Sequence, residues 1–156
     1  MAKLVSKTYG DALFEVAIES GQLDAYWEEV KGVRTALSEN PELFKLMSHP
    51  KIVKEEKVKI IEDIFAGKVS GELVGLLRMI VEKGHFEEMD SVLEYFETQV
   101  KEYKNIGTAY VTTAMELSDA QKAAVEKRLL ETTKYVKFEM HYAVDSALIG
   151  GMVIRI

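Results

Sequence analysis

There is no cysteine among the 156 residues. That excludes a disulfide frame, a thiolate metal site and a cysteine nucleophile, and it fits a reducing compartment. Proline is scarce at two residues, and the ten glycines form no linker, so the chain is not of low complexity. Positive charge is in deficit: 20 Lys and Arg face 26 Asp and Glu, a formal net charge of -6. Such a balance opposes non-specific binding to nucleic acid or to an anionic membrane, since both need clustered positive charge. No apolar run approaches the roughly 20 residues of a membrane span. The opening Met1-Ala2-Lys3-Leu4-Val5-Ser6-Lys7 is too polar for a secretory core. The expectation is a cytosol-facing protein that meets a membrane only through another protein.

What is present is globular: 47% hydrophobic and 29% charged residues, enough for one ordinary domain or two small ones. Val5, Tyr9, Ala12, Leu13, Val16 and Ala17 keep helical spacing up to Ser20-Gly21. Leu23, Tyr26, Trp27, Val30, Val33 and Leu37 mark a second helix. Asn40-Pro41 reads as an N-cap and first helical position of a short third helix that stops before Pro50. Val58, Ile61, Ile64 and Phe65 trace a fourth, ended by Gly67. Ser70 caps a fifth, in which Leu73, Val74, Leu76, Leu77, Met79, Ile80 and Val81 leave almost no polar face. Such a helix is either wrapped by its own domain or keeps a face for a partner. After Lys83-Gly84, the run from Phe86 to Tyr103 predicts a long sixth helix.

The pattern changes at Asn105-Ile106-Gly107. Thr108–Ala114 is β-branched and aromatic and predicts a strand. Ser118 and Gln121 form a capping box for a further helix. Val136, Phe138, Met140, Tyr142 and Val144 then alternate with Lys137, Glu139 and His141, the period of a second strand. The stretch Leu148-Ile149-Gly150-Gly151-Met152-Val153-Ile154-Arg155-Ile156 reads as a buried third strand. The fold class is therefore α+β: a bundle of about six helices at 1–105, then a small β-α-β-β unit at 106–156.

No catalytic constellation is assembled. His49, His85 and His141 lie far apart and read as surface or packing residues rather than metal ligands. The pairs Glu28-Glu29, Glu55-Glu56 and Glu87-Glu88 diverge on a helix and read as solvated faces. Gly67-Lys68 lacks the flanking glycine and hydroxyl of a phosphate loop. Gly150-Gly151 lies in apolar strand sequence, where a bulge or close backbone approach is the better reading. Trp27 beside Tyr26 reads as core. No cofactor is expected. A stand-alone enzyme is opposed by this missing constellation, and a helical RNA-binding or transcription-accessory module by the acidic charge.

Three stretches, in order, resemble the delta subunit of F-type ATP synthases, the family of the oligomycin-sensitivity-conferring protein. Tyr9 with Ala12-Leu13-Phe14 and Ala17 stands at that family's opening motif. Leu76-Leu77 with Glu82, Gly84 and Phe86 stands at its Leu-Leu…Glu-x-Gly segment, and Leu148–Ile156 at its closing strand. Gly10 replaces the family's usual alanine and His85 its usual arginine. The family ordinarily continues past the last strand, so a truncated or short form is expected.

The resemblance implies a non-catalytic stator adaptor at the cytoplasmic face of a bacterial membrane. In it, residues 1–105 bind the catalytic head and 106–156 face the b subunits of the peripheral stalk. It implies that the first and fifth helices receive the N-terminal helix of an α subunit. Tyr9, Ala12, Val16, Leu76 and Met79 are the expected contacts, with small Ala12 and Gly75 allowing close backbone approach. A core position is the competing reading for Val16 and Leu76.

Overall fold

The computed structural model describes residues 2–156. Six helices come first: α1 Ala2–Glu19, α2 Leu23–Glu39, α3 Pro41–Met47, α4 Lys54–Phe65, α5 Gly71–Glu82 and α6 Met89–Lys104. Then follow β1 Ile106–Thr113, α7 Asp119–Thr132, β2 Lys137–Val144 and β3 Met152–Arg155. This is the α+β order that the sequence predicts. The chain divides into two compact units, Met1–Val100 and Lys101–Ile156, so the division falls within the last turns of α6.

The helical unit is held by its apolar stripes. Leu13 of α1, Val30 and Val33 of α2, Ile61 of α4, Leu77 of α5 and Phe96 of α6 are all buried in one cluster. Each such side chain contributes roughly 1.5–3 kcal/mol on burial. Gly10 finds its reason here: a Cβ at this position would run into the ring of Tyr95. The Tyr95 hydroxyl in turn donates to Asp11 Oδ1 at 3.1 Å.

Three local expectations are corrected in this unit. Asn40 and Pro41 take the N-cap and first helical positions of α3 as expected, but the Asn40 side chain makes no capping bond; its amide donates instead to the Ala36 carbonyl at 2.8 Å, closing α2. Phe86 is not in the sixth helix but in a 3-10 turn, Phe86–Glu88, that precedes it. The turn lets the buried Phe86 ring reach Phe44, centroids 5.1 Å apart. Tyr103, the last residue of the predicted stripe, is exposed.

In the second unit β1 is central. It pairs in parallel with β2, Ile106↔Lys137 through Thr113↔Val144, and α7 supplies the crossover that a parallel pair requires. On its other side β1 pairs antiparallel with β3, Tyr110↔Arg155 to Thr113↔Met152, giving the order β2-β1-β3. The capping box closes as predicted: Ser118 Oγ accepts from the Gln121 N–H at 3.2 Å, and Gln121 Oε1 from the Ser118 N–H at 2.8 Å. Ala109, Leu129 and Phe138 are the buried centre, with Val125, Leu130, Tyr135 and Met140 packed on it.

Two readings of the strands change. The alternation of β2 holds at Phe138, Met140 and Tyr142, but Val136 and Val144 at its ends are exposed. β3 is not buried: every residue from Met152 to Arg155 is exposed. The physical reason is placement, because β3 is an edge strand and α7 packs on β2.

Asn105 links α6 to β1 with φ +56°, the left-handed conformation that ends a helix. A β-carbon is penalised there by about 1 kcal/mol, and asparagine tolerates it better than most residues. In urea denaturation, Asn105→Gly is therefore expected to be more stable than Asn105→Ala by about 1 kcal/mol. Equal midpoints for the two variants would show that the left-handed turn is not held.

Candidate partner-binding surface

α5 begins where Ser70 Oγ accepts from the Leu73 N–H, and it ends at Gly84, whose φ of +76° no β-branched residue would adopt readily. The His85 N–H then bonds back to the Ile80 carbonyl at 2.9 Å. Between these stops Leu73, Leu77, Ile80 and Val81 are buried, while Val74 and Leu76 are half-buried against the core. Gly75 and Met79 remain outside, and Met79 is 47% exposed. The helix that is apolar almost all round thus keeps a bare strip four residues long in register. A Cβ added at Gly75 would meet nothing within 4 Å.

α1 packs on α5 and shows the same division. Val5, Leu13 and Ala17 are buried; Tyr9 and Phe14 are half-buried against the core. Ala12 is exposed and Val16 is 39% exposed. Of the five candidate residues, Tyr9 and Leu76 are therefore anchored in the core, while Ala12, Val16 and Met79 reach solvent. None of the five is charged.

Two side-chain groupings were not read from the sequence. His85 lies beside Tyr9, ring centroids 6.3 Å apart. More consequential is Arg34 on α2, which makes a two-pronged contact with Asp90, Nε to Oδ1 at 2.9 Å and a second nitrogen to Oδ2 at 3.3 Å. Its third nitrogen donates to Glu97 Oε1 at 3.0 Å, and Trp27 Nε1 donates to Glu97 Oε2 at 3.1 Å. Glu97 is only 9% exposed. Its place among Met89, Val92, Leu93, Phe96 and Val100 on the buried stripe of α6 is the signal that could have found it.

The hydrogen bond with Asp90 raises the Arg34 pKa most; burial opposes it and Glu97 adds to it. A cation whose folded pKa lies above its unfolded value stabilises at every pH below the unfolded one. This ion pair therefore keeps Arg34 charged across the working range.

The acidic doublets separate as expected for neighbours on a helix. Glu28 pairs with Lys31 on the surface at 3.1 Å, whereas Glu29 turns inward to accept the Ser70 N–H. Among the described residues, no group of three or more His, Asp or Glu is placed to hold a metal. No helix among them is long and apolar enough to cross a membrane.

The family model of the ATP synthase delta (OSCP) subunit matches residues 5–156. The chain belongs to this family. It is 52% identical over its full length to an ATP synthase subunit delta of Lachnoclostridium phytofermentans, of which it covers 86%. It is 33% identical over 152 residues to the corresponding subunit of Desulforamulus reducens, covering 83% of it. A chain in the cryo-EM structure of the Toxoplasma gondii mitochondrial ATP synthase hexamer shares the fold, with a TM-score of 0.75. Identity to that chain is 20%, over 95% of this protein and 83% of the other. Of the motif residues, Leu13, Ala17, Leu77 and Phe86 are buried and Tyr9, Phe14 and Leu76 half-buried, while Ala12 is exposed. Val16, Gly75 and Met79 of the exposed strips lie outside both motifs.

Proposed function

We propose that this delta-family chain is a non-catalytic stator subunit of an F-type ATP synthase. It joins the catalytic head to the peripheral stalk and resists rotor torque during proton-driven ATP synthesis. Its helical unit takes the N-terminal helix of an α subunit between α1 and α5, on Tyr9, Ala12, Val16, Leu76 and Met79. Its C-terminal unit meets the b subunits of the stalk. The protein sits at the cytoplasmic face of the bacterial membrane, held there through the complex.

The observation that carries this reading is the pair of bare strips. Val16 and Met79 are large and apolar yet exposed, beside Ala12 and Gly75, which are small and exposed. Small residues between apolar ones let a helix backbone approach closely, and the half-buried Tyr9 and Leu76 give the contact a rigid floor.

Calorimetric titration with the α-subunit N-terminal peptide tests it. Ala12→Asp places an unpaired charge in a dry contact and is expected to cost about 3 kcal/mol of binding or more, with helicity retained. Gly75→Ala provides a second arm with opposite signs. It removes a helix-interior glycine into open space, so the fold is expected to gain about 1 kcal/mol while affinity falls. Undiminished affinity in a folded Ala12→Asp variant would overturn the assignment.

A further inference from the structure

With no cysteine in the chain, every sulfur atom belongs to a methionine. These thioethers differ in reach. In the helical unit Met47 and Met89 are buried, while Met79 is 47% exposed. In the second unit Met140 is half-buried against the small core, and Met115 and Met152 are exposed. Among the described residues, Met79 is thus the one bundle methionine open to solvent.

Its position gives that exposure a consequence. A helical side chain leans over the turn that precedes its own Cα. For Met79 that turn holds Gly75 and the half-buried Leu76. Gly75 has no side chain to cover the sulfur, and a Cβ built there would meet nothing within 4 Å. Ala12 and Val16 are exposed on α1, the helix that packs on α5. Methionine suits such a strip because it is flexible, polarisable and fills gaps against apolar surface. The same thioether is open to oxidation.

We propose that Met79 is a modification site: oxidation to the sulfoxide closes the α1–α5 strip to an apolar helix, and a docked helix in turn shields Met79. The inference rests on the reading that this strip receives a partner helix. It adds a chemical control on that contact.

With hydrogen peroxide as the oxidant, the O–O bond breaks, one oxygen bonds to sulfur and the other leaves as water. Sulfur gives up two electrons and the peroxide accepts them, so the step balances without another reactant. The product carries a polar S–O group where the contact is dry. Burying such a group without a hydrogen-bond donor opposes binding. Sulfoxide reductases restore the thioether: two thiols of the reductant become a disulfide and the oxygen leaves as water.

The test treats the full chain with hydrogen peroxide, removes the excess with catalase, and titrates in the α-subunit N-terminal peptide by calorimetry. Mass-spectrometric mapping is expected to find sulfoxide at Met79, Met115 and Met152 but not at Met47 or Met89, with helicity kept. Affinity is expected to fall about tenfold or more and to return after treatment with reductases for both sulfoxide epimers. Peptide present during oxidation is expected to slow the reaction of Met79 severalfold and to leave that of Met115 unchanged. Met79→Leu has no sulfur at this position, so whatever affinity it starts with is expected to survive the peroxide. Met115→Leu is expected to lose affinity as the wild-type chain does.

A wild-type chain oxidised at Met79 that binds as before would overturn the proposal and leave the docking reading intact. Equal loss in peroxide-treated Met79→Leu would move the effect to another residue and overturn it too, as would a Met79 that stays unoxidised while Met115 reacts. An untreated chain with no affinity for the peptide would instead overturn the docking reading itself.

Discussion

Gly107→Ala is expected to cost the C-terminal unit most of its stability and to leave the helical bundle folded. Gly107 sits in β1 opposite Phe138. A Cβ there would lie 2.7 Å from Phe138 and 2.8 Å from Tyr135, two rings that meet edge to face at 5.3 Å. Neither ring has room to retreat cheaply. Phe138 is buried at the centre of that small core with Ala109 and Leu129, and Tyr135 packs on it. Alanine suits a strand better than glycine does, so propensity favours the variant by a few tenths of a kcal/mol. Overpacking opposes it by about 1–3 kcal/mol, and so small a core has little reserve.

Hydrogen exchange of the β1 amides is the measurement, and their protection is expected to fall at least tenfold. Trp27 is the chain's single tryptophan and lies in the bundle, so its fluorescence transition reports the other unit separately. Wild-type protection of the β1 amides in the variant would show that the rings move aside freely.

The elements themselves were legible because their signals are local. The fifth helix announced itself by Ser70 and Gly84 at its ends, and the seventh by its capping box. Period two revealed β2 from Phe138 to Tyr142. What could not be read was pairing. Nothing in Met152–Arg155 says that it lies beside β1 rather than β2, and an apolar composition looks the same on an exposed edge as in a core. The candidate site divides along the same line. Periodicity placed Tyr9, Ala12 and Val16 on one helix and Leu76 and Met79 on another. It could not separate the anchored Tyr9 and Leu76 from the exposed Val16 and Met79, because that depends on which neighbours cover each face. Gly10 stood out only as a replacement of the family's usual alanine; the nearby Tyr95 ring explains it. The Arg34 cluster joins residues 56 and 63 positions apart, beyond any local pattern.

That cluster carries the second large effect. Arg34→Met keeps the length and apolar stem of the side chain while removing its charge, so packing along α2 is nearly conserved. It leaves Glu97 with the Trp27 N–H as its one remaining side-chain donor among the described residues. The Glu97 side chain is 11% exposed, and so too dry for water to replace the guanidinium fully. Breaking a buried pair by removing one partner costs about 3–5 kcal/mol. The Arg34 side chain is 31% exposed and Asp90 45%, so the expected loss is discounted to about 2–3 kcal/mol. Restoring neutrality should recover part of it: Glu97→Gln in the Arg34→Met background is expected to be more stable than Arg34→Met alone. In the wild-type background, by contrast, the same Glu97→Gln change is expected to destabilise. Urea denaturation followed by Trp27 fluorescence reads the full double-mutant cycle at a site where the indole itself bonds to Glu97. Additive effects, with a coupling below about 0.5 kcal/mol, would mean that Arg34 and Glu97 act independently and that the bundle is held by its apolar core alone.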